Sequence, residues 1–239
     1  ESVGNGWYRC SATFNHQAPF EYYIAISDAN GSSSYAGTGN GSIYIQDAQL
    51  ESSLVATPYI ETGASTAQAG ILENTPRLDY SGGATCPSLL LEPSRTNLYT
   101  YSEYGGAWTQ SNATITDNYA ISPEGVQNAF RALLTGLIYI NGTGTTGQDN
   151  TLSVWAKSNT GSNQDFRFFA NGNTIKSNNL TATTEWQRFD FTYSCTSVTA
   201  GIAGTAGGTS DILFYGFQQE VGSYPTSYIP TYGVSQTRA

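Results

Sequence analysis

The chain has 239 residues, a formal net charge of −9 and a sequence isoelectric point near 4.4, and only 11% of its residues are charged. Nucleic acids and anionic membrane surfaces are poor partners for so acidic a chain, and no apolar run reaches the roughly 20 residues that span a bilayer. The 26 Gly, 17 Tyr and absence of Met are typical of a β-rich protein outside a cell or on a particle, not of a helical cytosolic enzyme.

The first part of the chain shows the signals of a small sheet. Residues 7–14, 20–26 and 42–49 are rich in aromatic and β-branched residues, or alternate between polar and apolar, and predict three strands. Residues 28–41 (DANGSSSYAGTGNG) consist of turn formers and predict a loop. Residues 61–75 are small and polar, which indicates a linker with at most one helical turn.

The next segment carries two short motifs, TPRLDY at 75–80 and CPSLLLEPSRTNL at 86–98. The apolar run 89–91 is bounded by prolines on both sides, which predicts a short buried strand.

The remainder of the chain predicts a sandwich. Two edge strands are expected within 108–119, a flexible loop at 141–147, and no helix longer than two turns. About eight short strands separated by Gly and Asn turns favour an all-β, antiparallel β-sandwich, most simply a jelly roll. Further strands are expected at 128–134, 151–157, 165–170, 185–193 and 212–218.

A family resemblance covers this larger part. The string TPRLDY…CPSLLLEPSRTNL…YSE…W and the ending QxEVGSYPTSYIPTxGxxxTRA bracket residues 75–239. Together they resemble a signature of bacteriophage tail-fibre and virion-surface proteins, in which it accompanies a jelly-roll domain similar to carbohydrate-binding modules. The resemblance implies a jelly roll located on a virion surface or otherwise outside a cell.

The ending also occurs a second time in the chain, at an offset of 169 residues. A further pair of matches, at an offset of 179 residues, lies upstream: Trp7 and Arg9 correspond to Trp186 and Arg188. The recurring tryptophans predict core positions. Such self-similarity indicates two structural units of the same kind. The first offset relates Gln49 to Gln218, Glu51 to Glu220 and Tyr59 to Tyr228.

The repeat predicts the domain organisation. Residues 1–65 would be the second half of a jelly-roll unit, 66–96 a linker with the two motifs, and 97–239 a complete module. Residues 1–65 then form a partial unit in a fragment of something longer; the alternative is a small sheet of their own. A half sheet has open edges that recruit further strands. Upstream residues of a longer protein, residues 66–96 of the same chain or a neighbouring subunit could supply them, and of these we expect the neighbour, which gives a homo-oligomer or filament.

No catalytic, metal or cofactor site is predicted. The single histidine, His16, has no acidic or cysteine neighbour at useful spacing and is expected to be a solvated loop residue. Cys10, Cys86 and Cys195 are compatible with one disulfide and a free thiol or with three buried thiols. Glu51 and Glu220 recur, and the expectation is that each anchors the following Tyr-Ile segment through backbone hydrogen bonds.

A polysaccharide site is the remaining candidate. Sugars stack on aromatic rings and bond to polar side chains, and five residues fall opposite the apolar stripes of their strands: Trp155, Lys157, Arg167, Phe169 and Tyr215. The same face could instead pack on another subunit. The sequence thus favours a non-enzymatic structural component of a viral particle or extracellular fibre; the alternative is a module that binds a host-surface polysaccharide.

Overall fold

The computed structural model describes residues 2–14, 24–25, 43–51, 56, 59–62, 78–79, 88–141, 144–205 and 208–238. The chain divides into two compact units. Unit 1 comprises Glu1–Glu51 and Ala56–Ala69, and unit 2 comprises Ser52–Val55 and Gly70–Ala239. The long strands described below all belong to unit 2.

In unit 1 the described residues form one β-hairpin, β1 (Ser2–Gly4) with β2 (Trp7–Tyr8). Its turn residues Asn5 and Gly6 have φ of 50° and 80°, the geometry that Asn-Gly favours in two-residue hairpin loops.

The predicted strand at 7–14 is therefore shorter than expected. The described residues 24–25 and 43–49 of the other two predicted strands are not in a strand. The predicted loop at 28–41 lies outside the described residues.

Unit 2 is all-β, and every pairing between its strands is antiparallel, so the predicted antiparallel sandwich is confirmed. Among the described residues the helical content is one 3-10 turn, Gly105–Ala107. The strands are β3 (Leu78–Asp79), β4 (Ser88–Leu89), β5 (Arg95–Asn97), β6 (Thr109–Ala120), β7 (Ala129–Asn141), β8 (Asp149–Ser158), β9 (Gln164–Ala170), β10 (Ile175–Lys176), β11 (Leu180–Ala182), β12 (Gln187–Ser194), β13 (Thr199–Gly204), β14 (Ser210–Val221) and β15 (Gln236–Arg238).

Strand β7 joins the two layers of the sandwich. On one side it pairs with β6. On the other side it pairs with β14 through residues 130–134 and with β13 through residues 137–141. We call β14, β8 and β12 the front sheet, and β13, β9, β10 and β11 the back sheet.

The inner faces of the two sheets meet through aromatic side chains. Phe166 of the back sheet lies edge-on to Phe189 of the front sheet with ring centroids 5.2 Å apart, and Phe168 stacks on Phe191 at 6.3 Å. The predicted alternation of β8 is confirmed, since Leu152, Val154 and Ala156 all lie in this core. Residues that alternate with the core positions consequently lie on the outer faces.

The core tryptophan of unit 2 is Trp108, which is 4% exposed. Its ring stacks on Tyr99 at 5.0 Å and meets Phe217 at 4.3 Å, and its indole N–H donates to the carbonyl of Tyr101 at 2.9 Å.

The prediction that Trp7 and Trp186 are core residues is wrong. Trp7 is 41% exposed. Trp186 is half-buried and donates its indole N–H to the carbonyl of Ile121 at 3.2 Å. It precedes β12, whose inner positions are occupied by Phe189 and Phe191.

Two further strand predictions need correction. Residues 109–120 form one edge strand instead of two, bent where Asn112 and Asn118 have φ of 51° and 50°. Leu89 and Leu91 are 55% and 82% exposed rather than buried; among the described residues, the strand partner of β4 is the two-residue strand β3.

Strand β13, whose sequence TAGIAG carries little strand signal, was not predicted.

Among the described residues, the cysteine thiols and acidic side chains form no cluster that could hold a metal ion. Cys10 is a free exposed thiol and Cys195 a free buried one, while Cys86 and His16 lie outside the described residues. Within the described ranges no three His, Cys, Asp or Glu side chains converge on a possible metal position. In the same ranges, no helix has the length and apolar character to cross a membrane.

Replacing Trp108 with Ala is expected to lower the free energy of unfolding of unit 2 by about 3–5 kcal/mol, because it empties a packed aromatic site. Trp186→Ala removes a half-buried ring and should cost less than half as much. Urea unfolding of both variants, monitored by far-UV circular dichroism, measures the difference. Equal losses would show that Trp186 belongs to the core after all.

Candidate functional site

The outer face of the back sheet carries a shallow groove. Tyr139, Gly201 and Phe169 lie side by side on β7, β13 and β9. Because the middle position is glycine, the two rings can approach each other across it; they meet edge to face with centroids 6.2 Å apart, and Gly201 is buried. A Cβ on Gly201 would lie 2.1 Å from the carbonyl oxygen of Ile138, so the close approach of β13 to β7 requires glycine there.

The groove opens into a cavity of about 290 Å³. Its polar walls come from Asn141 and Thr199; the hydroxyl of Thr199 donates to the side-chain amide oxygen Oδ1 of Asn141 at 2.8 Å. The cavity combines apolar surface with neutral hydrogen-bonding groups. Its lining consists of Leu137, Tyr139, Asn141, Phe169, Gly172, Asn173 and Thr199.

The turn that closes one end of the cavity is held by Asn171. Its side-chain amide donates to the carbonyl of Ser194 at 2.9 Å, and its side-chain oxygen accepts the backbone N–H groups of Thr196 and Ser197 at 2.8 and 3.1 Å. Asn171 is 4% exposed. This buried anchor fixes the exposed Gly172 and Asn173 at the rim of the cavity.

The residues that line the cavity are suited to binding a ligand rather than to acid–base catalysis. None of the seven lining residues is charged, so the cavity attracts neither anions nor cations and contains no pair of carboxylates for general acid–base work. Amide, hydroxyl and phenol groups around two aromatic rings suit a neutral ligand with many hydroxyl groups.

The five residues predicted for glycan contact do not form one platform. Arg167 and Phe169 lie on the outer face of the back sheet, whereas Trp155, Lys157 and Tyr215 lie on the outer face of the front sheet. Trp155, Lys157 and Arg167 are half-buried.

Phe169 and Tyr215 are each 1% exposed, so the prediction that they present open rings is wrong. Phe169 packs against Tyr139. Tyr215 is covered by the ring of Tyr228 at 5.4 Å.

Alternation along β7 would have revealed the groove residues that the sequence analysis missed. In the sequence Leu137-Ile138-Tyr139-Ile140-Asn141 the isoleucines point into the core. The other three residues therefore share the outer face. The contribution of Gly201 depends on strand order, which a single sequence does not disclose.

The outer face of the front sheet is partly covered by the chain's last segment. The carboxylate of Glu220 accepts the backbone N–H of Thr226 at 2.7 Å and its hydroxyl at 2.7 Å, and the side-chain oxygen of Gln218 accepts the backbone N–H of Ile229 at 2.7 Å. The expected tether of the Tyr228-Ile229 segment thus comes from Gln218, whereas Glu220 holds Thr226, two residues before Tyr228. We call residues 222–231, held in this way, the closing segment.

The closing segment is held by residues of the motif CPSLLLEPSRTNL. Glu92 accepts the backbone N–H of Ser227 at 2.7 Å and pairs with Arg238 at 3.2 Å. Arg95 lies 3.5 Å from the carboxylate of Glu220. The two motifs that bracket the sequence thus meet in space, and residues 92–96 belong structurally to unit 2 instead of a linker.

Two charged groups beneath this clasp have shifted pKa values. Burial raises the pKa of Glu103, although its carboxylate accepts hydrogen bonds from Tyr228, Tyr232 and Asn128. Burial lowers the pKa of Arg188, against the opposing effect of Glu220. Arg188 donates to the hydroxyl of Ser153 at 2.9 Å, so this recurring arginine is a structural residue on the front sheet.

Comparisons with known proteins give weak likenesses. No family model matches the chain, and no curated protein matches it. Among solved structures, it is similar to the CBM22-1 xylan-binding domain of Paenibacillus barcinonensis Xyn10C, with 16% identity, a TM-score of 0.39, and coverage of 54% of this chain and 94% of that chain.

Two other solved structures are similar at the same level. The family 11 carbohydrate-binding module of Clostridium thermocellum Lic26A-Cel5E gives 9% identity, a TM-score of 0.34, and coverage of 54% and 97%. The enzymatically active domain of bacteriophage CBA120 tailspike protein 4 gives 13% identity, a TM-score of 0.34, and coverage of 53% and 21%. Because these TM-scores lie below 0.5, function has to be argued from the residues of this chain.

We expect Glu220→Gln to destabilise unit 2 by about 1.5–3 kcal/mol, because hydrogen bonds to a buried charged group carry energies of this size and the amide cannot replace both acceptor oxygens. Glu185→Gln changes an exposed side chain and serves as the matched control, with no measurable effect. Urea unfolding of the two variants is the measurement. An unchanged midpoint for Glu220→Gln would contradict the clasp.

Proposed function

We propose that unit 2 is a non-catalytic module that binds a neutral polysaccharide in the groove of the back sheet. The observation that carries the proposal is the composition of the cavity: the half-buried ring of Tyr139, backed by the buried ring of Phe169, with two Asn amides, a Thr hydroxyl and no charged residue. A sugar ring offers apolar C–H faces to the aromatic side chains and hydroxyl groups to the amides.

Rigidity of the groove supports the same function. The cavity is lined by residues of strands β7, β9 and β13, and its rim is fixed by the buried Asn171. A pre-formed site avoids the conformational entropy that a loop would lose on binding. At about 290 Å³ the cavity lies at the small end of ligand sites, which fits about one sugar unit of a longer chain that continues along the open face.

The front face is the weaker candidate for this function. Tyr215 is covered by the closing segment, and Arg188 is engaged with Ser153. What remains is the half-buried pair Trp155 and Lys157, without a described cavity beside them.

Groove variants test the site. Asn141 is exposed, so Asn141→Ala should leave the fold intact and weaken binding of a neutral polysaccharide about tenfold, which corresponds to about 1.4 kcal/mol. Tyr139→Ala should weaken it at least as much. Isothermal titration of the full chain against a panel of neutral polysaccharides, including xylan and β-glucans, gives the affinities.

Trp155→Ala is the control on the opposite face and should bind as tightly as the parent protein. Binding lost in Trp155→Ala and kept in Asn141→Ala would place the site on the front sheet. No binding to any neutral polysaccharide of the panel would reject the function.

We propose a second role, self-assembly, for unit 1. Its described apolar side chains are exposed, including Val3 (61%), Tyr8 (69%), Tyr44 (87%) and Leu50 (71%). Exposed apolar side chains that lie together mark an interaction site, and the strands of a hairpin can add backbone hydrogen bonds to a partner. Copies joined in this way could form a viral tail fibre or another extracellular fibre that displays the binding groove.

We expect the full chain to form oligomers larger than its 25.5 kDa monomer mass, with residues 1–65 at the contact. Light scattering coupled to size exclusion measures the mass. Tyr8→Ser and Tyr44→Ser should shift the distribution towards monomer, whereas Tyr119→Ser, which changes an exposed tyrosine of unit 2, should not. A monodisperse monomer of the parent protein would contradict self-assembly.

A further inference from the structure

Two cationic side chains lie on the outer face of the back sheet, beside the cavity. Phe169, which lines the cavity, is directly opposite Lys176 in the antiparallel pair of β9 and β10. Directly opposite residues of such a pair project from the same face of the sheet. Arg167 is two residues before Phe169 on β9 and therefore projects from that face as well. Both cations thus stand where a polysaccharide would continue from the cavity along the open face.

The strand register determines how far apart the two cations are. Because Lys176 is opposite Phe169, it is a diagonal neighbour of Arg167, and the Cα atoms of diagonal neighbours are about 7–8 Å apart. The long side chains of lysine and arginine can reach across such a distance, so one small anion can contact both. The turn before β10 is fixed at the cavity rim, since the hydroxyl of Thr174 donates to the carbonyl of Asn171 at 2.7 Å.

Neither cation is neutralised by the described part of the chain. No ion pair between described residues involves Lys176 or Arg167, and the buried Nε of Arg167 has no hydrogen-bond partner among them. The acidic residue of β9, Asp165, accepts the hydroxyl of Thr181 at 2.7 Å. Lys176 is exposed and Arg167 is half-buried, so both can receive an anion from outside the chain.

We propose, on the basis of the function proposed above, that Lys176 and Arg167 bind the carboxylate of an acidic sugar unit next to the unit in the cavity. We call these two residues the cationic site. The guanidinium of Arg167 presents paired N–H groups that match the two oxygens of a carboxylate. The ammonium of Lys176 adds a second positive charge from the neighbouring strand.

The charge of the whole chain limits how acidic this ligand is. With 18 acidic and 9 basic residues and a net charge of −9, the chain repels a densely charged polyanion at long range. The lining of the cavity contains no charged residue, which suits a neutral sugar unit. The ligand is therefore a mainly neutral polysaccharide with sparse uronic acid units, and not a polyuronate.

The test compares one polysaccharide in two forms: a xylan with glucuronic acid side units, and the same xylan after reduction of its carboxyl groups to alcohols. Isothermal titration of the full chain should show about fivefold tighter binding of the acidic form, because ion pairs at an exposed site contribute modestly. The ratio of the two affinities should fall towards one in about 1 M sodium chloride, since salt screens exposed charges.

Variants of the protein locate the carboxylate. Lys176→Gln and Arg167→Gln should each bring the ratio of the two affinities close to one. Lys157→Gln removes the same charge from the front sheet and should leave the ratio unchanged. A ratio of one in the parent protein, or an unchanged ratio in Lys176→Gln, would overturn the cationic site without affecting the case for the groove.

Two further results separate this site from the groove. Carboxyl-dependent binding that Lys176→Gln abolishes and Asn141→Ala does not weaken would support the cationic site and reject the groove. Binding of polygalacturonate as tight as that of the acidic xylan would show general attraction of polyanions and overturn the cationic site. Binding of neither form of the xylan nor of any neutral polysaccharide would overturn both.

Discussion

The side chain of Asn97 is the contact on which the architecture of unit 2 depends. It is fully buried. The two N–H groups of its side-chain amide and its side-chain oxygen connect three separate stretches: its own strand β5, strand β14 and the closing segment. Two of the groups it satisfies, the C=O of Phe217 and the N–H of Gln219, are backbone groups beside the kink of β14 at Gly216, and the third, the C=O of Ile229, belongs to the closing segment. A buried backbone group without a partner costs free energy comparable to a lost hydrogen bond, so the kink is tolerable because Asn97 is there.

This clasp determines which face of the sandwich is open. By drawing the closing segment over β14, it covers Tyr215 with Tyr228 and buries Glu220. On the outer face of the back sheet the cover is smaller: the ring of Tyr139 packs on Phe169 across Gly201, and Asn141 and Asn173 remain exposed beside them. The candidate groove is therefore a consequence of where the chain closes the fold, rather than of any motif in the groove itself.

The sequence predicted the layers well because they depend on local alternation. Strands such as β8 and β9 alternate apolar and polar residues, and the prediction of their inner faces is confirmed by Val154 and Phe168. The exposure of outer residues was predicted poorly because it depends on distant segments. Phe169 and Tyr215 fall on outer faces as expected, yet each is covered by a ring from elsewhere, Tyr139 or Tyr228.

The repeat illustrates the same distinction between local and distant information. The repeat predicted that Trp7 and Trp186 lie in the core, and this was wrong because recurrence does not show what packs against a residue. The tryptophan in the core is Trp108, which is not one of the repeated residues. The local content of the repeat was reliable, since the kink of β14 recurs in unit 1 at Asp47 and the Gln tether recurs at Gln49. A repeated sequence therefore encodes a backbone conformation and the hydrogen bonds that this conformation requires. Which residues supply the partners of those hydrogen bonds depends on sequence outside the repeat.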